Sequence, residues 1–259
     1  MFRIFMKMKE QYIKTEMEYP FNFWMMMIAG VVTRIVGIAV PFVIYSNIPS
    51  IGGWEKEEIY VIMAFLYIAD GLCSILFEGI WMLPEMVFHG QFDMILSRPV
   101  SPLFQVLANG MGLQGIANAI SGIMIMIVSL DALNKLTMFH ILLSLLFIIC
   151  GTVILMSVSL IGNSIIFWFD SGGRSSVAYA MLNVGNFAKY PTVIYPKVIR
   201  FILLFIIPFT FIGEIPAKVI MGKSNYFSII AIIGISILFF VFARFVFYKG
   251  ISKYESVGM

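Results

Sequence analysis

Three ionisable residues interrupt long apolar runs, and they are the side chains best suited to chemistry or transport. Arg34 lies about twelve residues into the first run and Asp70 about eleven into the second, so both fall near the middle of a bilayer. Glu78 follows a turn or two later. Because an isolated charge at that depth costs roughly several kcal/mol, we expect Arg34 and Asp70 to pair. The pair would either fix the register of two helices or contact cargo or an ion.

Motifs for catalysis or nucleotide binding lack the context that they need. Residues 110–115 (GMGLQG) fit a dinucleotide-binding pattern but open an apolar run and follow no strand. Residues 221–224 (MGKS) match the end of a phosphate loop, but Ala217 occupies the position of its first glycine. His89 and His140 fall on separate loops, and neither a Ser/His/Asp set nor an HExxH motif occurs. The sequence therefore predicts no catalytic group, metal site or cofactor in this chain.

Small and polar residues form two stripes along the third apolar run. The small stripe steps by three or four residues, which suits close contact with another helix. Its members are Ala108, Gly112, Gly115, Ala119 and Gly122. Beside it, Gln114, Asn118 and Ser121 must face protein or water. Helix packing is the favoured interpretation, and a substrate path is the alternative.

Composition excludes a water-soluble globule. The 259 residues are 61% hydrophobic and 12% charged, with a mean hydropathy of +0.97, which is typical of an all-α polytopic membrane protein. The net charge of +3 is spread without a basic patch, which argues against a nucleic-acid partner. Cys73 and Cys150 lie within apolar runs and form no metal or disulfide motif.

The hydropathy pattern predicts one transmembrane domain over residues 1–259, with six spans after an interfacial helix at 1–20. The spans cover about residues 22–46, 59–82, 104–130, 139–168, a fifth from near 198, and 226–248. Most Lys and Arg residues fall at the termini, in the 83–103 loop and in the 170–200 section, which the positive-inside rule places in the cytoplasm. We therefore expect a plasma-membrane protein with both termini cytoplasmic.

Prolines flank an acidic residue near the predicted outer face. Pro208, Glu214 and Pro216 predict a broken or re-entrant segment at 208–225. Glu214 would either gate an exit there or face the water outside.

Residues 84–97 form a punctuated amphipathic segment between two apolar runs. Pro84 suits the first turn of a helix, and an apolar face includes Phe88, Phe92 and Ile95. Pro99 ends the helix just after Arg98. The pattern predicts a short helix at the water boundary that either lies on the membrane or meets a soluble partner.

The run from Gly90 to Gln105, which includes RPVSPLFQ, resembles the first cytosolic loop of type-2 ABC exporter permeases with six spans. Residues 187–191 (FAKYP) and the later prolines are similar to the pattern around the fifth span of that subgroup. The resemblance implies that 84–97 is a coupling helix inserted into a separate ABC ATPase subunit, beside a connecting helix at 1–19. The implied contacts with the ATPase are Phe88, Phe92, Asp93, Ile95, Arg98 and Pro99.

The resemblance also implies an ATP-driven exporter that works by alternating access. ATP and Mg would bind the partner ATPase, and this permease would pair in the lipid membrane with a second copy or a related chain. The cargo would be hydrophobic or amphipathic, such as a drug, a peptide or a lipid-like molecule, with an outer gate around Pro208, Glu214 and Pro216. Arg34, Asp70, Glu78, Gln114 and Asn118 would line the transport path. The alternative is an ion- or proton-coupled secondary transporter that uses Arg34, Asp70 and Glu78.

Overall fold

A computed structural model describes residues 2–18, 20–169 and 176–255, and every regular element within these ranges is helical. This confirms the predicted all-α polytopic membrane protein. Twelve α-helices are described: α1 (Phe2–Met17), α2 (Pro20–Tyr45), α3 (Lys56–Phe77), α4 (Gly79–Phe88), α5 (Phe92–Leu96), α6 (Pro102–Ala108), α7 (Gln114–Ala132), α8 (Met138–Ser164), α9 (Ser176–Gly185), α10 (Lys197–Phe201), α11 (Glu214–Ile220) and α12 (Phe227–Ile251).

Five of these helices are long and apolar enough to cross a membrane: α2, α3, α7, α8 and α12. α2 and α7 run in one direction and α3, α8 and α12 in the other, so the bundle has two ends. We call the end with α1, α4, α5, α6 and the last turn of α12 the termini end. The end with the connections at 46–55, 133–137 and 221–226 is the loop end.

The most extensive helix contact in the bundle is between α3 and α7, and the predicted small-residue stripe makes it. A Cβ added to Gly71 of α3 would lie 2.5 Å from the backbone nitrogen of Ala119, and one added to Gly122 would lie 2.7 Å from a side-chain carbon of Ile68. Such distances leave no room for a side chain, so the glycines let the two backbones approach. The helix partner of the stripe, which the sequence left open, is α3.

The predicted helix at 84–97 is two helices. Gly79, Ile80 and Leu83 are helical and buried, so α4 begins at Gly79 and Pro84 lies within it. Gly90 then adopts φ +69°, a left-handed conformation that breaks the helix before α5 begins at Phe92. The third predicted span is broken in the same way, because Gly110 at φ +70° separates α6 from α7.

The topology predicted for residues 170–225 is wrong in its first part. Ala178 of α9 packs against Gly162 of α8 near the termini end. Thr192, further along, bonds Glu214, and Val193 packs against Gly52 at the loop end. The described chain therefore passes from one end to the other between residues 176 and 192, rather than starting its crossing near 198. A ten-residue helix followed by a 3-10 turn at Asn186–Lys189 is too short to give a hydropathy signal.

Residues 197–220 then form two short helical arms joined at a sharp bend, rather than a straight span. We call this pair of arms the hairpin. Its two arms, Lys197–Ile206 and Phe209–Ile220, are bent by 71° across Ile207 and Pro208. Arg200 of the first arm donates to the Thr192 carbonyl at 3.3 Å, which holds this arm at the loop end. Lys197 and Arg200 therefore lie at the loop end, and not at the termini end with the other basic residues as expected from the sequence.

We predict that Gly71→Val destabilises the protein because its side chain meets the Ala119 backbone. The expected loss is about 1–3 kcal/mol, measured as a lower thermal midpoint of the purified protein in detergent. Gly234→Ala on α12 is the matched control, since nothing lies within 4 Å of a Cβ there. An unchanged midpoint for Gly71→Val would contradict the close α3–α7 contact.

Candidate functional site

Arg34 lies at the centre of a closed polar cluster between α2, α3 and α7. Its Nη2 donates to Asp70 Oδ2 at 3.0 Å and its Nε to Asn118 Oδ1 at 2.7 Å. Asn118 Nδ2 completes the triangle by donating to the same Asp70 oxygen at 2.8 Å. The guanidinium carbon lies 4.5 Å from the centroid of the Tyr67 ring. The predicted Arg34–Asp70 pair is thus present, with Asn118 as a third member.

Small residues on α2 bring Arg34 to this cluster. A Cβ at Gly30 would lie 3.3 Å from the Ala117 Cβ, and one at Gly37 would lie 2.6 Å from the Tyr67 hydroxyl. These glycines stand about one turn before and after Arg34, on the face that meets α3 and α7. These two glycines therefore place the Arg34 side chain where the backbone of α2 lies close to α3 and α7.

Two cavities lie on either side of the Arg34–Asp70 pair and share it as a wall. The larger has a volume of about 430 Å³ and extends towards the termini end, where Ser74, Glu78 and Gln114 line it. The smaller, of about 280 Å³, is lined by Tyr67, Asn186 and Lys189 among others. The Asp70 side chain is 43% exposed because it faces these cavities. The pair therefore stands inside a space large enough for a small organic molecule.

The larger cavity contains polar and aromatic residues that the sequence analysis did not single out, among them Ser74, Trp81 and Tyr179. Glu78 Oε2 accepts from Ser74 at 3.0 Å, and Trp81 follows one helical turn later. The Trp81 ring lies 4.9 Å from the ring of Tyr179 on α9. The spacing of Glu78 and Trp81 could have indicated that Trp81 belongs to this site. Tyr179 could not have been predicted, because residues 170–200 were expected outside the membrane.

The helix α1 is fastened to the break between α6 and α7. Lys9 is buried and donates to the Gly110 carbonyl, and the Tyr12 hydroxyl bonds the Asn109 side chain. Burial lowers the pKa of Lys9 to about 8, against the opposing effect of the Glu78 carboxylate. The N-terminal helix is thus held next to the termini end of the larger cavity.

One of the predicted ATPase contacts, Phe92, is wrong in orientation. Phe92 is fully buried, with its ring 5.2 Å from Phe167 and 5.3 Å from Tyr254. Ile95 is half-buried and packs against the same core, so its contact with the ATPase stays a prediction. The predicted face did not account for the break at Gly90, which turns α5 into the bundle.

Other residues of this segment are exposed at the termini end. These are Phe88, Met94, Leu96, Arg98 and Pro99. Asp93 is half-buried beside Tyr254, whose pKa is raised to about 12, mainly by burial and further by this carboxylate.

Glu214 holds the hairpin to the preceding loop. It is buried and accepts from the Thr192 backbone nitrogen at 2.9 Å, the Thr192 hydroxyl at 3.1 Å and Lys218 Nζ at 2.6 Å. The alternative in which Glu214 faces the water outside is therefore wrong. Pro216 is buried in the first turn of α11, and Pro208 lies at the bend.

A family model described as "ABC-2 family transporter protein" matches residues 31–258, which is most of the chain. The chain belongs to this family. It is therefore the multi-pass membrane subunit of an ABC transporter, and the family implies partner ABC ATPase subunits. No curated protein and no solved structure gives a match to this ABC-2 permease. Among the described residues, no group of three His, Cys, Asp or Glu side chains could hold a metal ion.

We predict that Asp70→Asn lowers the stability of the ABC-2 permease, because Arg34 then lacks a counter-charge in a poorly solvated site. The expected loss is about 1–3 kcal/mol in detergent unfolding, and Arg34→Gln with Asp70→Asn should lose less than the sum of the single changes. Glu57→Gln, which breaks the half-exposed pair with Lys56, should stay within about 0.5 kcal/mol. Additive losses would show that the pair does not couple.

We predict that Glu214→Ala loosens the hairpin, since the Thr192 backbone N–H and hydroxyl lose their acceptor. A loss of about 1–3 kcal/mol is expected, together with faster hydrogen exchange at residues 192–200. Glu57→Ala, a half-exposed glutamate of α3, is the control. Unchanged exchange at 192–200 would mean that Glu214 does not hold this loop.

Proposed function

We propose that this chain is the permease of an ATP-driven exporter that moves hydrophobic or amphipathic cargo out of the cytoplasm by alternating access. The observation that carries the proposal is the 430 Å³ cavity, whose wall includes α2. Only 6% of the apolar, membrane-crossing stretch of α2 is buried inside the protein, against 61% for α3. A helix held so lightly can move relative to the bundle and open or close the cavity.

The exposed face of α2 also supports a second permease. Its apolar residues project away from the bundle along most of its length, for example Trp24, Ile28, Ile35 and Phe42. In the membrane, lipid or another permease would cover this face. We propose a dimer, made of two copies of this chain or of this chain and a related permease, with cargo held between the two.

Work from the ATPase would enter through α4 and α5. α4 follows α3 after Glu78, so it is linked along the backbone to Asp70. α5 is fixed by Phe92 in the core, and Gln105 Nε2 donates to the carbonyls of Ile95 and Val100, both at 2.9 Å. A push on this segment would therefore reach the helices that line the cavity.

The proposed ATPase contact uses the exposed residues of this segment. Phe88, Met94 and Leu96 supply apolar anchors, and Arg98 with Pro99 stands beside them. This contact places the termini end in the cytoplasm, next to subunits that bind ATP and Mg. Basic residues of α1 such as Lys7 and Lys14 are consistent with that orientation in a plasma membrane.

The ion- or proton-coupled alternative would use Arg34, Asp70 and Glu78 as a relay. Membership in the ABC-2 family favours the ATP-driven mechanism. Sealed vesicles separate the two: export that requires ATP and the partner ATPase supports the exporter, and export driven by an ion gradient alone would replace it.

We predict that Leu96→Glu weakens ATPase association at least tenfold in co-purification and titration experiments, because a charge enters the apolar contact. Leu136→Glu is the matched control, since Leu136 is 42% exposed and Leu96 39%, but Leu136 lies at the loop end. Both variants should keep the wild-type thermal midpoint. Equal effects of the two variants, or none, would contradict the proposed contact.

A further inference from the structure

The larger cavity has unused carboxylate acceptors, whereas its one cation already has a counter-charge. Arg34 is held by Asp70, Asn118 and the Tyr67 ring. Asp70 accepts both of its hydrogen bonds on Oδ2 and Glu78 accepts on Oε2, so within the described chain Asp70 Oδ1 and Glu78 Oε1 accept none. The cavity therefore presents carboxylate oxygens to any molecule that enters it.

The charge of the cavity lining is negative. Two carboxylates, Asp70 and Glu78, face one guanidinium, Arg34, which leaves one negative charge when all three are ionised. Lys9 lies near Glu78, but its ammonium group donates to the Gly110 carbonyl and does not line the cavity. Lys189 lines the smaller cavity, where it interacts with Asp70 and Arg34. A cation that enters the larger cavity beside Glu78 would be attracted by this carboxylate, and an anion would be repelled by it.

Aromatic faces stand beside Glu78. Trp81 and Tyr179 both line the cavity, with their rings 4.9 Å apart and tilted by 42°. Organic cations bind well over such rings, and Trp is the best of the aromatic side chains for this purpose. Leu155 and Leu182 line the same cavity and offer contacts for an apolar portion. A volume of about 430 Å³ is within the range of small-molecule sites.

We propose that this cavity binds the organic-cation group of an amphipathic cargo, with Glu78 as the counter-charge and Trp81 and Tyr179 as the aromatic faces. The proposal rests on the proposed export function in that the bound molecule is the cargo. In this proposal, Asp70 mainly neutralises Arg34, and Glu78 is the carboxylate that selects the cargo by its charge.

Tetraphenylphosphonium and tetraphenylborate test the proposal, since they share one shape and carry opposite charges. Binding of each is measured to the full chain in lipid nanodiscs, with empty nanodiscs subtracted. We expect the cation to bind at least tenfold more tightly than the anion, and Glu78→Gln to weaken cation binding at least tenfold. Trp81→Leu should weaken it and Trp81→Phe should retain most of it. Glu57→Gln, in the first turn of α3 at the loop end and far from this cavity, should change nothing.

Equal binding of the two ions, or unchanged cation binding by Glu78→Gln, would overturn the proposal. If Glu78→Gln unfolds in a thermal melt, the contrast between Trp81→Leu and Trp81→Phe decides: equal affinities reject the aromatic site. The ATPase takes no part in this measurement. Loss of charge selectivity therefore leaves the export proposal standing, and failed ATPase association leaves the cation site standing.

Discussion

The need to pair charges away from water governs the middle of this protein. Arg34 is tolerable there because Asp70 and Asn118 close a triangle around it, with the Tyr67 ring on one face. Since α2 has little other burial, this triangle sets its rotation and depth against the bundle. The cavities open beside this level because α2 packs closely around Arg34, at Gly30 and Gly37, and is mostly exposed over the rest of its length.

The triangle depends in turn on the glycines between α3 and α7. Gly71, Gly115 and Gly122 bring the two backbones so close that Asn118, one turn from both Gly115 and Gly122, reaches Asp70 directly. Larger residues would separate the helices and lengthen that hydrogen bond. The small stripe and the polar stripe, which are adjacent in the sequence, therefore serve one structural purpose: the first permits the contact that the second completes.

Sequence reasoning succeeded where a local rule dominates. Midplane charges require partners, which was enough to predict the Arg34–Asp70 pair, and Pro208 marks the bend of the hairpin as expected. It failed where tertiary contacts decide. Periodicity placed Phe88 and Phe92 on one face, but the left-handed Gly90 leaves the first exposed and the second buried. The crossing at 176–192 was missed because a short helix and a 3-10 turn are held in the bundle by neighbours, not by their own hydropathy.

The ring cluster of Phe92, Phe167, Phe247 and Tyr254 gives α5 a second connection to the bundle. Along the backbone, α5 leads back through α4 to α3. Through its rings, it also touches the last turns of α12 and the end of α8. Displacement of α5 would therefore act on α4 and α12 at the same time. The two helices would move together instead of sliding past each other.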